Sequence, residues 1–229
     1  MSQLVVDEQN ELQEIDVKES PKFSFALRLA AKIISYLFHP LFIPVYVSWF
    51  IVYLQPYLFS GFNKWDKALV IFRFFVMYTV FPLVTVLLAK GLGFVSSIQL
   101  KTQRERIIPY VACGMYYFWM WYVLRNQPEF PIAVVALTFA IFLASSIALI
   151  ANIYMKISMH TIAVGVMATF IMLLAFKQDT SFGIYIAVAI FISGIVCTAR
   201  MIASDHTQRE IYGRLFIGGV SQLVAWYLF

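Results

Sequence analysis

Arg200, His206 and Glu210 lie six and then four residues apart. The spacing of four puts His206 and Glu210 on one helical face. There a carboxylate can hold one imidazole N–H, which fixes the tautomer and leaves the other ring nitrogen free as nucleophile or base. Arg200 reaches the same volume if the backbone is helical or tightly turned, and it brings a planar fork of donors matched to phosphate oxygens. A second polar island, Lys156 to His160, supplies Ser158 and His160 at the start of an apolar run. A histidine at a helix N-terminus is placed to give up a proton, and the exposed N–H groups there favour an anion. A third island, Lys101 to Pro109, adds Lys101, Arg104 and Arg106. One histidine can attack phosphorus and the other can protonate the leaving alkoxide. The cations can hold the charge that spreads over the transition state.

Other chemistries fit these residues less well. Two histidines and Glu210 could supply three zinc ligands, but the surrounding arginines repel a dication, and no metal or other cofactor is expected. A proton relay could use His160 and Glu210 but has no need of the arginines. Charged groups in bilayer segments cost about 2.5–3.5 kcal/mol each on insertion scales, so their presence in three places asks for a task.

The elements that must position these groups are apolar. The 229-residue chain is 62% hydrophobic and only 13% charged, against about 45–50% and about 25% in soluble domains. This composition indicates an all-α, polytopic transmembrane bundle in one domain, residues 23–229, expected in a bacterial inner membrane. It follows a flexible acidic tail, residues 1–22. Phe23 to Phe38 reads as an interfacial amphipathic helix, ended by His39-Pro40. Six spans follow by hydropathy: 41–58, 69–92, 109–124, 131–154, 161–176 and 182–199, with a seventh apolar run over 211–229. Pro44, Pro56 and Pro82 are expected to kink or end helices. The aromatic run Tyr110 to Tyr122 suits an interfacial belt with packing, or a lipid groove.

Two spans separate each polar island from the next, so all three emerge on one membrane face, as a shared site requires. The islands themselves contribute about half of the basic residues on that side, so the positive-inside rule leaves open which face it is. The net charge of +5 suits phosphate and anionic lipid headgroups. No basic stripe exists to carry nucleic acid. Cys113 and Cys197 lie in apolar runs without metal-ligand spacing. The expected partners are membrane lipids and a lipid phosphate, and the oligomeric state stays open.

The chain resembles the type 2 phosphatidic acid phosphatase superfamily over about residues 101–210. The family's three motifs read Lys-x6-Arg-Pro, Pro-Ser-Gly-His and Ser-Arg-x5-His-x3-Asp. Here they read Lys101-x6-Ile108-Pro109, Ile157-Ser158-Met159-His160 and Ala199-Arg200-x5-His206-x3-Glu210. The resemblance implies a metal-independent phosphatase acting through a phosphohistidine. His206 would be the nucleophile, oriented by Glu210, with His160 as the acid. Lys101, Ser158 and Arg200 would bind phosphoryl oxygens. Ile108 stands where the family has arginine, and Arg106 or Arg104 is the expected substitute. Met159 replaces a glycine that lets backbone approach phosphate closely. A phosphotransferase using the same histidine, or a protein that binds or moves lipid phosphates without hydrolysis, are the alternatives.

Overall fold

The computed structural model describes residues 2–6, 12–16, 23–97, 100, 103–154, 159–177, 182–203 and 208–229. A short hairpin pairs β1 (Ser2–Val6) antiparallel with β2 (Leu12–Asp16), Ser2 opposite Asp16. The other regular elements of the described chain are helices. The helices are α1 (Phe25–Leu37), α2 (Ile43–Trp49), α3 (Lys64–Phe75), α4 (Phe81–Gly91), α5 (Gln103–Arg125), α6 (Ile132–Tyr154), α7 (Met159–Phe176), α8 (Gly183–Ala203) and α9 (Gln208–Leu228).

Five stretches are long and apolar enough to cross a membrane: Lys64–Gly91, Arg104–Arg125, Ile132–Ile153, Met159–Phe176 and Gly183–Ala203. The first joins α3 to α4 through a π turn, Val76–Val80. Pro82 therefore does not end the helix. A proline has no N–H and crowds the carbonyl four residues earlier, and the wider turn ahead of it accommodates both defects. Two further apolar runs differ from these five. Ile43–Leu54 is shorter, and at 1.5 Å per residue its length falls well under the ~30 Å of a hydrocarbon core. The α9 helix has 21 residues, but Arg209, Glu210, Arg214 and Gln222 make it more polar than α6, α7 and α8.

Helix boundaries follow local chemistry. Asn63 caps α3, its Oδ1 accepting from the N–H groups of Trp65 and Asp66 at 2.8 and 2.9 Å. Asp66 answers by accepting the Asn63 N–H at 3.1 Å, a complete capping box. The α5 helix starts at Gln103 and carries Pro109 inside it, rather than starting at that proline. Only one backbone bond is lost near the helix end, so the first turns survive and carry Arg104 and Arg106.

The centre of the bundle is α6, α7 and α9, with α5 against α6, and α8 against α7. Glycines set the α7–α9 distance. A Cβ at Gly165 would stand 2.3 Å from the Leu215 carbonyl oxygen, and one at Gly218 would stand 2.1 Å from that of Ile162. Such close approach replaces hydrophobic burial as the adhesive between helices in lipid. At one end of the bundle, cations sit over aromatic faces: Arg125 on Trp121 at 5.3 Å, Lys177 on Trp226 at 4.8 Å and Arg73 on Phe130 at 5.9 Å. The starts of α5 and α7 and the end of α8 gather at the other end, and α1 packs along α8.

Candidate functional site: a cavity with a polar end

A cavity of ≈ 620 Å³ opens among α1, α2, α4, α5, α6, α7 and α8. Its polar lining consists chiefly of Lys32, Ser35, His39, Arg106, His160 and Arg200, and much of the remainder is apolar, including Val47, Val86, Leu137, Ile141, Val166 and Met167. Helical spacing builds these walls. Arg106, Tyr110, Cys113 and Tyr117 form a stripe along α5, and Leu137, Ile141, Ala144 and Ser145 form another along α6. The aromatic run of α5 thus divides by face: Tyr110 and Tyr117 line the cavity, while Trp119 and Tyr122 are exposed.

His160 is the second residue of α7. Its Nε2 lies 3.1 Å from the backbone carbonyl oxygen of Ser35 on α1. A carbonyl only accepts, so Nε2 carries the proton and Nδ1 is the nitrogen left to titrate. The His39 ring stands edge-on to His160, with centroids 5.2 Å apart and planes at 80°. The His39 Nδ1 accepts the Leu41 N–H at 3.4 Å. Burial, and then the charge of Arg200, lower the His39 pKa below its ordinary 6.5, so the ring is neutral at neutral pH.

The cations form a cluster. Arg200, in the last turn of α8, lies within electrostatic range of Arg106 and Arg214. The Arg106 Nε donates to the Leu100 carbonyl at 2.9 Å. Leu100 has φ of 48°, a left-handed conformation that a leucine rarely adopts. The Glu105 carboxylate accepts both the N–H and the hydroxyl of Ser96, so Ser96 and Leu100 are each bonded to a side chain of α5. Arg214 is 3% exposed and pairs with Glu210 at 3.6 Å. Around these three arginines, Glu210 contributes one negative charge. An anion brought into such a cluster gains from every cation at once.

The structure brings His160, Arg106 and Arg200 to one cavity, so residues from all three islands' helices meet there. Glu210 stands one turn before Arg214 on α9 and reaches the cluster through it. Arg104 is exposed and does not line the cavity. Two residues on a helix are about 200° apart, so Arg104 and Arg106 cannot face the same way, and Arg106 has the inward side. Lys101, Ser158 and His206 lie outside the described residues. Leu100, Met159 and Ala203 line the cavity. Ile108 is 43% exposed, and Arg106 is the arginine that this helix presents.

Lys32, Ser35, His39 and Arg214 were not legible as members of the site. Arg214 did carry a signal, since an arginine inside an apolar run is costly unless it is paired. His39 carried none, because His-Pro after an amphipathic stretch reads as a helix stop. No protein-family model matches the chain, and neither a curated protein nor a solved structure matches it at a significant level.

Proposed function

We propose that the protein is an integral membrane phosphatase that hydrolyses a lipid phosphate monoester or pyrophosphate through a phosphohistidine, without a metal. The observation that carries this reading is the meeting of Arg106, Arg200 and His160 at the polar end of a largely apolar cavity. A phosphorylated headgroup suits that end, and an acyl or prenyl chain suits the apolar remainder. In this account α9 and Ile43–Leu54 complete the bundle to seven membrane-embedded helices, with α1 at the interface.

In the reaction a ring nitrogen of His206 attacks phosphorus, and the bond to the lipid oxygen breaks. His160 takes up a proton on Nδ1 with the phosphate dianion bound beside it, and gives that proton to the departing alkoxide. Its Nε2–H stays on the Ser35 carbonyl, which holds the ring in place. Arg106 and Arg200, with Lys101 and Ser158, hold the phosphoryl oxygens. Glu210 orients His206 while Arg214 neutralises its charge. Water then attacks the phosphohistidine, giving a proton to the His160 Nδ1 emptied in the first step, and the P–N bond breaks to release inorganic phosphate and regenerate the His206 imidazole.

The intermediate provides the test. Protein mixed with lipid phosphate labelled on phosphorus and quenched in alkali should retain the label on histidine, where it is acid-labile. His206→Ala should retain none. Label that persists in His206→Ala contradicts this assignment. A second reading draws on Ile108 and Met159: without the motif arginine and glycine, the cavity would bind a lipid phosphate and not cleave it. Tight binding of phosphatidate with no turnover would favour it.

A further inference from the structure

Three residues at the polar end of the cavity belong to none of the polar islands: Lys32, Ser35 and His39. Spaced i, i+3 and i+7, they share one face of α1 and of the turn that ends it. Leu29, Ile33 and Leu37 are exposed on the remaining surface of the helix. Helix α1 therefore gives polar side chains to the cavity and apolar ones to its surroundings.

Each of the three supplies a donor. The His39 Nδ1 is occupied by the Leu41 N–H, so the neutral ring keeps its proton on Nε2, which has no partner among the described residues. The Ser35 carbonyl is committed to His160. The Ser35 Oγ is buried and without a hydrogen-bond partner among the described residues, a state that costs about 1–3 kcal/mol until a ligand or water satisfies it. Lys32 brings an ammonium group. Among the described residues that line the cavity, none is an aspartate or a glutamate. A wall made of donors, added to Arg106 and Arg200, calls for a ligand with acceptors pointing several ways. A phosphoryl group has three such oxygens diverging from one centre, whereas a carboxylate has two in a plane.

We propose that Lys32, Ser35 and His39 form a second wall of a phosphate monoester site and donate hydrogen bonds to the phosphoryl oxygens alongside Arg106 and Arg200. The ligand class rests on the phosphatase reading above, but the wall does not depend on turnover. Binding is therefore the test, with hydrolysis measured separately. Full-length protein in detergent micelles is titrated calorimetrically with inorganic phosphate and with a dioctanoyl phosphonate analogue of phosphatidate, whose P–C bond is not cleaved. The probe that wild type holds more tightly identifies the source of the phosphoryl group.

Ser35→Ala and His39→Phe should each weaken both probes about tenfold, the loss expected for a hydrogen bond to a charged group. His39→Gln, which restores an N–H donor, should recover most of the affinity. Leu29→Ala, on the exposed side of α1, should bind as wild type does. If His39→Phe fails to fold, Ser35→Ala decides, since it removes one oxygen and keeps the carbonyl that holds His160. Wild-type affinity in Ser35→Ala and His39→Phe overturns the proposal and leaves the phosphatase reading standing. Weakened binding in a protein that hydrolyses nothing supports the wall and sinks that reading. A loss confined to the phosphonate would assign these residues to the glycerol part of the lipid, and would overturn the proposal too.

Discussion

Arg200 joins the polar end of the cavity to the charge cluster behind it. It lines the cavity beside His160, feels Arg106 and Arg214, and bears on the ionisation of His39. Arginine presents a planar fork and lysine a point charge. Arg200→Ala should therefore lower kcat/KM for phosphate release at least ~100-fold, the scale of losing an oxyanion donor, and Arg200→Lys should recover only part of it. Steady-state kinetics on detergent-solubilised lipid phosphate measure both.

His39 gives a pH prediction. Its pKa in the folded protein is below 6.5, and in the unfolded chain it is about 6.5. Above that pH both states are neutral and the difference has no effect. As pH falls through 6.5 the unfolded chain takes a proton that the folded protein resists, so stability falls with pH. Thermal unfolding between pH 8 and 5.5 should show a declining Tm, with a shallower slope in His39→Gln. At this scale His160, Arg106 and Arg200 were readable because charge within apolar sequence is expensive. The choice between Arg104 and Arg106 was not readable, since it depends on helix phase and hence on whether α5 starts before Pro109.

Among the elements, the α7–α9 contact is the most constrained. Gly165 and Gly218 each stand where a Cβ would overlap a backbone carbonyl oxygen of the other helix. Backbone cannot move aside as a flexible side chain can, so Gly218→Ala should destabilise by about 1–3 kcal/mol through overpacking. Gly213 lies on the same helix, and a Cβ there would meet nothing within 4 Å among the described residues. Gly213→Ala should be neutral or stabilising by up to ~1 kcal/mol, the helix-propensity difference. Thermal unfolding in detergent compares the two. Sequence hydropathy located the long helices, with the starts at Lys64 and Gln103 five and six residues ahead of the expected 69 and 109, because length and apolarity are properties of one segment. It did not reveal which helices touch, because α6 and α7 are apolar around much of their circumference. It also missed the π turn before Pro82, which depends on how the neighbouring helices absorb a missing hydrogen bond.

For the whole molecule, the cavity joins a charged end to an apolar interior, which in the proposed function would take the headgroup and the chain of one lipid. Ala144 on α6 lines it with a small side chain. Ala144→Phe should fill part of the apolar volume and reduce turnover of dioleoyl phosphatidate more than that of dioctanoyl phosphatidate, as mixed-micelle assays would show. Equal losses would mean that the chain lies elsewhere. That Arg106, His160 and Arg200 come to one end of the bundle agrees with the count of spans between them. The contribution of α1 was not, because its approach to α7 and α8 is a tertiary contact that periodicity does not encode.

In the proposed reaction a histidine, and not a metal, carries the phosphoryl group. Its most direct test is inorganic phosphate release from phosphatidate, phosphatidylglycerol phosphate and prenyl pyrophosphates in the presence of EDTA, comparing wild type with His206→Ala. Release from at least one of them should resist EDTA and be lost in His206→Ala. Release that EDTA abolishes, or that survives His206→Ala, would contradict the proposed reaction.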